Sequence, residues 1–387
     1  MAPPSNRRRG KTQSDPARYV PPPPGPPPIP PRPPETPEDH RFGEASRGAP
    51  RDLPDGMADD APWDVRPDVA GHGSAPAPLR HPGSIPSPPN GPADQWGPVV
   101  VDRAVMAFDP VPPTGMSYRP DTVCDGWSTA ALDVRLASVR GYEHRHDGTQ
   151  REDDAAIAWD QGTGTVAFAV ADGVSEAHQP HIGAQLACRS AVDEMLSQVR
   201  NEGGFVVDWH KLLSTVHWQL REQARRLLHL QDEAGVQETA ELLGTTLVAG
   251  TATPTERGVE VSVVWVGDSG VWQLRHDRFH AMGGGKRTGP DGLLSSAVDP
   301  LPLVPAVVRP LSTVLEPGTV LLIGTDGFGD PLGDGEGAVG HLFRSELRRP
   351  VSPLRFAHLL DFSRETFGDD RTLIALWPRE TAPGAPR

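Results

Sequence analysis

Val166-Ala167-Phe168-Ala169-Val170-Ala171-Asp172-Gly173 is the stretch around which the folded part of this chain is organised. Six apolar residues, several of them β-branched or aromatic, predict a buried strand that ends at Asp172. Gly173 lets the backbone turn sharply and leaves its carbonyl exposed. A carboxylate beside a free carbonyl suits a hard divalent cation, which prefers oxygen ligands. Taken alone, the stretch is more simply explained as a strand followed by an ordinary Asp-Gly turn.

The same construction recurs along the chain. A second apolar strand ends in Thr325-Asp326-Gly327, and a third ends in Gly267-Asp268-Ser269. Acids also mark two further strand boundaries, at Glu152-Asp153 and at Asp369. Carboxylates that the fold gathers at bonding distance repel one another unless cations neutralise them. Two hard cations at such a cluster would activate water and hold a phosphoryl group, so the recurrence favours a metal site.

Composition divides the chain into a tail and a folded region. Most of the 45 prolines lie before residue 121, and Pro21–Pro34 is nearly all proline, which favours polyproline II. We expect residues 1–124 to be a disordered proline-rich tail, residues 125–380 to be one domain, and residues 381–387 to be a short C-terminal tail. A spacer is the simpler interpretation of the tail, ahead of a ligand for a proline-recognising partner.

Charge and cysteine content exclude several function classes. The formal net charge of −14 argues against a general binder of nucleic acid or of anionic membranes. No apolar run is long enough for a transmembrane helix, and no secretory signal is evident. The two cysteines, Cys124 and Cys188, match no metal-ligand spacing and favour a reducing compartment, so a cytoplasmic protein is expected.

Hydrophobic periodicity gives the order of the elements. Alternation over Ala131–Val139 predicts a strand, and a polar connection leads from it to Asp154. Two helices are predicted next, at about Ile182–Val199 and Asp208–Leu230. Strands then return, and Met282–Pro305 reads as a long loop. Strands that outnumber a pair of inserted helices predict an α+β fold.

Six short motifs in this order resemble those of the metal-dependent serine/threonine protein phosphatases of type 2C, in their bacterial form. Each motif is weak singly, but their shared order over residues 130–378 is specific. The motifs are Gly141-Tyr142-Glu143-His144 through Glu152-Asp153, Val170-Ala171-Asp172-Gly173, Gly244-Thr245-Thr246-Leu247, Val266-Gly267-Asp268-Ser269, Thr325-Asp326-Gly327 and Asp369-Asp370-Arg371-Thr372.

The resemblance implies a β-sandwich of two mixed sheets flanked by helix pairs, with a site for two Mn²⁺ or Mg²⁺ ions at one edge. The metal ligands that it implies are Asp153, Asp172, the Gly173 carbonyl, Asp326 and Asp369. Asp172 matches the acid that bridges both ions, and Glu152 matches the acid that holds a water. Asp268 matches a supporting acid and a candidate ligand of a third ion.

The sequence departs from the family pattern near the expected phosphate-binding position. The arginine that many members carry before the first acid pair would fall on Gly148 here. His144 and Arg145 are the candidates that we name for the substrate phosphate, and Arg140 and Arg151 remain alternatives. Val174-Ser175 follow Asp172-Gly173, without the histidine that some members use as a general acid, and the nearby His178 and His181 are more simply explained as solvent-facing loop residues. Asp370 stands where asparagine is commoner, which adds a negative charge beside Asp369.

The leading interpretation is a phosphatase that hydrolyses phosphoserine and phosphothreonine in proteins by metal-activated water and opposes a cytoplasmic kinase. The alternative is a phosphatase-like binding or regulatory module with little catalysis. In a third interpretation, the proline-rich tail recruits a partner and the domain is a scaffold. Phosphorylated proteins are the expected partners, together with a candidate partner for the tail, and neither nucleic acid nor membrane is expected.

Overall fold

The computed structural model describes residues 96–113, 119–202, 206–288, 294–295 and 300–380. The polyproline stretch Pro21–Pro34 and the C-terminal tail 381–387 lie outside these ranges, so the expectations for them stay predictions. Within the described ranges, no helix is both long enough and apolar enough to cross a membrane.

The described chain forms thirteen strands and seven helices. In chain order, the strands are β1 (Thr122–Ser128), β2 (Leu132–Val139), β3 (Asp154–Trp159), β4 (Val166–Ala171), β5 (Leu247–Thr255), β6 (Gly258–Val266), β7 (Gly270–Arg275), β8 (Arg278–Gly284), β9 (Arg287–Thr288), β10 (Leu294–Ser295), β11 (Leu311–Leu315), β12 (Val320–Gly324) and β13 (Arg371–Pro378). The helices are α1 (Tyr142–Asp147), α2 (Pro180–Glu202), α3 (Trp209–Leu227), α4 (Val236–Leu243), α5 (Asp326–Leu332), α6 (Ala338–Glu346) and α7 (Pro353–Leu360).

Two main sheets face each other. One has the strand order β1-β2-β13-β12-β7-β8, and the other has the order β11-β6-β5-β4-β3. The expected α+β sandwich is therefore confirmed. Its sheets differ from the expectation in one respect, because every neighbouring pair of strands within them is antiparallel and neither sheet is mixed.

Strand β4 is buried on both faces, as its continuous apolar sequence predicts. Val166, Phe168 and Val170 point into the core between the sheets, where they join residues such as Ile323 and Ile374. The alanines between them point to the other face, into the cluster beneath α2 and α3. Large side chains thus fill the sandwich while small ones let a helix approach the sheet. Truncation of Phe168, which is fully buried, would cost about 3–5 kcal/mol.

Helices cover the outer face of each sheet. Helix α2 packs on β3, β4 and β5, and α3 packs on α2. Asp208 caps α3 by accepting a hydrogen bond from the Lys211 N–H at 3.0 Å. The sequence predicts that the second helix runs to Leu230, but α3 ends at Leu227 and a separate α4 follows. On the other sheet, α7 packs against β1, β2 and β13.

Contacts of the folded region begin before the expected boundary at residue 125. Strand β1 starts at Thr122, and Val101 is buried with its N–H bonded to the Ser363 carbonyl at 2.9 Å. The Gly97 carbonyl lies 2.9 Å from Nε2 of His358. Only a few isolated contacts hold this segment in the described structure. Proline and polar residues separate the anchoring side chains, so the sequence shows no hydrophobic pattern that would have predicted these contacts.

Candidate metal centre

Asp172 leaves β4 where the chain turns toward α2. Its carbonyl accepts hydrogen bonds from the Thr246 N–H at 2.7 Å and from the Thr245 hydroxyl at 2.8 Å. Its own N–H donates to Oγ1 of Thr246 at 3.0 Å. Gly173 follows in such a tight space that a Cβ atom there would lie 2.6 Å from Cβ of Pro180. These contacts fix the direction in which the Asp172 side chain leaves the sheet.

Asp153 and Asp326 are brought together by Thr325. Asp153 is 1% exposed, and its Oδ2 accepts a hydrogen bond from the Thr325 hydroxyl at 2.8 Å. The same hydroxyl accepts the Thr372 N–H at 3.1 Å, which ties the end of β12 to β13. Thr325 precedes the first residue of α5, which is Asp326. One buried hydroxyl thus links three of the segments that carry acids.

Asp370 anchors the loops around the acids. It is 2% exposed, and its carboxylate accepts the Gly141 N–H at 2.6 Å and the Glu152 N–H at 2.5 Å. Nδ1 of His144 lies 3.0 Å from Oδ1 of Asp370. Burial alone would raise the pKa of Asp370, but His144 and the two N–H groups lower it below its ordinary value. The ionised form of Asp370 is therefore stabilised by groups of the protein itself.

The remaining acids perturb one another. Burial, followed by the charges of Asp370 and Asp369, raises the pKa of Asp153 well above its ordinary value. Burial, followed by the charges of Asp153 and Asp326, raises the pKa of Asp172 in the same direction. Desolvation and the charge of Asp326 raise the pKa of Asp369 to about 7, but the residue is exposed, so solvent screens this shift more than those of Asp153 and Asp172. These carboxyls resist ionising together unless a cation joins them.

The donor set fits hard divalent cations. Oδ1 of Asp326 and Oε2 of Glu152 are buried carboxylate oxygens without a hydrogen-bond partner, which is costly unless a cation or another donor satisfies them. As the side chains are oriented, no group of three or more His, Cys, Asp or Glu in the described ranges is arranged to hold a metal ion. Protein donors explain this orientation, since Thr325 binds Asp153, the Asp370 N–H binds Asp369, and Lys286 binds Asp326.

Lys286 and Asp330 are neighbours of this cluster that sequence reasoning missed. Nζ of Lys286 lies 3.2 Å from Oδ2 of Asp326 and 2.5 Å from Oδ2 of Asp330. Burial alone would lower the pKa of Lys286, but these two carboxylates raise it. Asp330 follows Asp326 by four residues, so the helical repeat would have placed both on one face of α5. Lys286 gave no sequence signal, because its surroundings lack any period.

Asp268 lies at the same edge of the site. It follows β6, and its pKa is raised by burial and by the charge of Asp326, while Lys286 opposes the shift. The next residue, Ser269, shares a 2.9 Å hydrogen bond with the hydroxyl of Thr246, the residue that fixes Asp172. The third acidic strand end is therefore brought to the cluster, on the side where Lys286 lies.

The two candidates for the substrate phosphate are placed differently. His144 is near Glu152 and Asp369 as well as Asp370, and although burial would lower its pKa, these acids raise it to about 9. Arg145 instead binds Oδ1 of Asp361 at 2.9 Å and lies over the ring of Tyr142 at 5.3 Å. His144 is thus a cation beside the acids, whereas the guanidinium of Arg145 already has partners on α1 and beyond α7.

The alternative cations and the nearby histidines are occupied or remote. Arg140 and Arg151 are 2% exposed and donate to backbone carbonyls such as those of Thr149 and Ser138. His181 is buried against Gln150, and burial and the charge of Arg119 lower its pKa to about 4. His178 is exposed on the loop before α2. Arg151 also interacts with the charges of Asp370 and Asp153, but burial lowers its pKa and its guanidinium is held at the Ser138 carbonyl.

A sequence model of the protein phosphatase 2C family matches residues 140–355 of this chain. The match spans more than half of the 387 residues and contains every candidate metal acid except Asp369. The chain belongs to the protein phosphatase 2C family. This finding confirms the resemblance drawn from the six motifs, and with it the class of enzyme, a metal-dependent serine/threonine protein phosphatase.

Solved phosphatase structures align with the chain at low identity. The serine/threonine phosphatase of S. agalactiae aligns with 14% identity and a TM-score of 0.44, over 64% of this chain and 99% of that one. For PstP/Ppp of Mycobacterium tuberculosis the values are 15%, 0.41, 64% and 98%. For RsbX in complex with magnesium they are 13%, 0.42, 66% and 100%. No curated protein matches the chain.

Proposed function

We propose that the acidic cluster is the active site at which this protein phosphatase 2C family member hydrolyses phosphoserine and phosphothreonine in proteins. The observation that carries the proposal is that burial and neighbouring carboxylates raise the pKa values of acids on three separate segments, and that two buried carboxylate oxygens beside them have no hydrogen-bond donor among the described residues. Two divalent cations, Mn²⁺ or Mg²⁺, would remove both costs, because they accept carboxylate and carbonyl oxygens. The proposed ligands are Asp153, Asp172, the Gly173 carbonyl, Asp326 and Asp369.

Bound there, the two ions would lower the pKa of a water molecule and offset the charge of the phosphoryl group. The protein itself supplies the positions of the acids. Asp172 is proposed to bridge the ions, because its backbone is held by Thr245 and Thr246 and its carboxyl is affected by Asp153 and by Asp326. Glu152 is proposed to orient the attacking water through the oxygen that has no protein partner.

His144 is proposed to bind the substrate phosphate. In the metal-free site the surrounding acids raise its pKa to about 9, which favours its charged form, and it lies beside the acids that the phosphoryl group must approach. Its Nδ1 lies at ion-pair distance from Asp370, 3.0 Å from Oδ1. Arg145 supports this role less well, because Asp361 and the Tyr142 ring already engage its guanidinium.

The bounds of the domain, the role of the tail and the location of the protein are part of the same proposal. We propose a phosphatase domain that reaches from the segment near Val101 to about residue 380, with the proline-rich tail before it as a spacer that offers a partner site. A cytoplasmic location, opposite a serine/threonine kinase, is supported by Cys124 and Cys188, which are both free thiols. A binding module without catalysis is not favoured, because all the acids that the reaction requires are present.

The test is metal-dependent hydrolysis by the purified full chain. With Mn²⁺, we expect release of phosphate from p-nitrophenyl phosphate and from a phosphothreonine peptide, and much less from the matched phosphotyrosine peptide. Excess chelator should abolish all hydrolysis, and added Mn²⁺ should restore it. Full turnover in chelator would refute the metal mechanism. Mn²⁺ binding without turnover of any substrate would instead support the binding module.

A further inference from the structure

Lys286 places an ammonium group between two acids of α5. Its Nζ lies 3.2 Å from Oδ2 of Asp326 and 2.5 Å from Oδ2 of Asp330. The lysine side chain is only 21% exposed, and that of Asp326 is 18% exposed, so solvent screens this pair much less than a surface pair. A cation that joins two carboxylates at these distances fills the electrostatic role that a divalent ion would otherwise fill there.

The backbone before Lys286 passes close to the carbonyl of Ser269. Gly284 and Gly285 both have positive φ angles, 71° and 78°. A Cβ atom on Gly284 would lie 2.1 Å from the Ser269 carbonyl oxygen, and the Gly285 N–H donates to that oxygen at 3.1 Å. Glycine alone fits such a path without strain. The turn therefore brings Lys286 close to Ser269, the residue after Asp268. Asp268 is the candidate ligand of a third ion.

The two oxygens of Asp326 have separate surroundings. Oδ2 faces Lys286, whereas Oδ1 is buried without a partner and the charge of the carboxyl acts on Asp172. An ammonium on one oxygen fixes the rotation of the carboxylate and leaves the other oxygen available. Lys286 thus positions Asp326 as well as neutralising it.

We propose that Lys286 is the resident cation at this edge of the site, so that the protein binds two divalent ions and excludes a third from Asp268, Asp326 and Asp330. The inference rests on the two-ion site proposed above. An ammonium is a compact point charge on a flexible stem, so it can reach two carboxylates at once.

The test is titration calorimetry of the full-length protein with Mn²⁺. We expect two ions per chain for the wild type and three for Lys286→Met, because that variant leaves three acids without their cation. Lys286→Met/Asp330→Asn should return to two ions, and Lys286→Arg should stay at two because it keeps the charge. Lys211→Met is the matched control, since that lysine pairs with Glu194 on the helix pair α2 and α3. It should also bind two.

A second readout is the melting temperature in chelator. Lys286→Met should melt below the wild type and Lys286→Arg close to it, because Asp326 and Asp330 lose their partner only in the former. Should Lys286→Met fail to fold, Lys286→Gln removes the same charge and takes its place. Two ions in each variant, or three in the wild type, would overturn this inference and leave the proposed function standing. A wild type that binds no Mn²⁺ would overturn the proposed function together with the inference.

Discussion

Replacement of Glu152 by glutamine separates the charge of this residue from its shape. Glu152 is 7% exposed, and its Oε2 is buried without a partner. Burial raises its pKa from 4.5 to about 7, with the charge of His144 opposing the shift and those of Asp370 and Asp369 adding to it. Glu152→Gln keeps the volume and removes the charge. We therefore expect the metal-free variant to be more stable than the wild type at neutral pH.

The size and the pH dependence of this gain in stability follow from the pKa of Glu152, which is 4.5 in the unfolded chain and about 7 in the folded state. The folded state resists ionising Glu152, which lowers the unfolding free energy of the wild type. This loss is absent below pH 4.5, grows between pH 4.5 and 7, and is constant above pH 7. At about 1.4 kcal/mol per pH unit, the full cost is about 3 kcal/mol. The variant should therefore gain about 3 kcal/mol of unfolding free energy at pH 8 and about 1 kcal/mol at pH 5.

The assay is urea unfolding in excess chelator at several pH values between 5 and 8. Glu316→Gln serves as the matched control, because Glu316 is 64% exposed and pairs with Arg275 away from the acids. Its effect should stay below about 1 kcal/mol at every pH. In the presence of Mn²⁺, Glu152→Gln should still bind two ions, since Glu152 is not a proposed ligand, while turnover should fall about 100-fold or more.

Two results would refute this reasoning. A stability gain of equal size at pH 5 and pH 8 would show that the charge of Glu152 is not its source. Loss of Mn²⁺ binding in Glu152→Gln would make the residue a metal ligand, and unchanged turnover would remove it from the reaction.

The remaining predictions concern the metal bridge, the turn behind it and the tail. Asp172→Ala should weaken the binding of one or both Mn²⁺ ions in calorimetry and lower turnover by orders of magnitude. Its melting temperature in chelator should equal or exceed that of the wild type, because one repelling carboxylate is gone. Wild-type binding and turnover in this variant would show that Asp172 is only a turn residue. Gly173→Ala should cost about 1–3 kcal/mol in urea unfolding, because its Cβ would meet Pro180, and an unchanged midpoint would contradict that contact. Deletion of residues 1–95 should leave the melting temperature unchanged, whereas deletion of 1–120 should lower it measurably; equal melting temperatures would return the domain boundary to about residue 125.

The sandwich was predictable because its strands carry their pattern locally. The apolar run of β4 predicts burial on both faces, and the structure shows Val166, Phe168 and Val170 on one face with alanines on the other. The antiparallel pairing was not predictable in the same way. Pairing depends on which strands become neighbours, and β2 and β13, which pair along their length, lie far apart in the chain.

The acids of the site were identified by motif order, because the period of one strand cannot show which strand ends will meet. Their supporting residues had weaker signals. Thr325, which joins Asp153 to the start of α5, is an ordinary strand-end residue in the sequence. Lys286 lies in a stretch expected to be a loop, where only the backbone angles of the preceding glycines direct its side chain. Contacts that depend on a single side chain across the fold leave no periodic trace.

Asp370 shows how a departure from a family pattern acquires a physical meaning only in the fold. In the sequence it adds a negative charge beside Asp369 and would be expected to change the affinity for metal ions. In the structure it accepts two backbone N–H groups and lies beside His144, which stabilise its ionised form, while burial and then the charge of Asp370 still raise the pKa of Asp153. The same contact gives His144 its positive charge beside the acids. The altered residue and the absent arginine are thus two parts of one arrangement, in which Asp370 holds the cation that is proposed to bind phosphate.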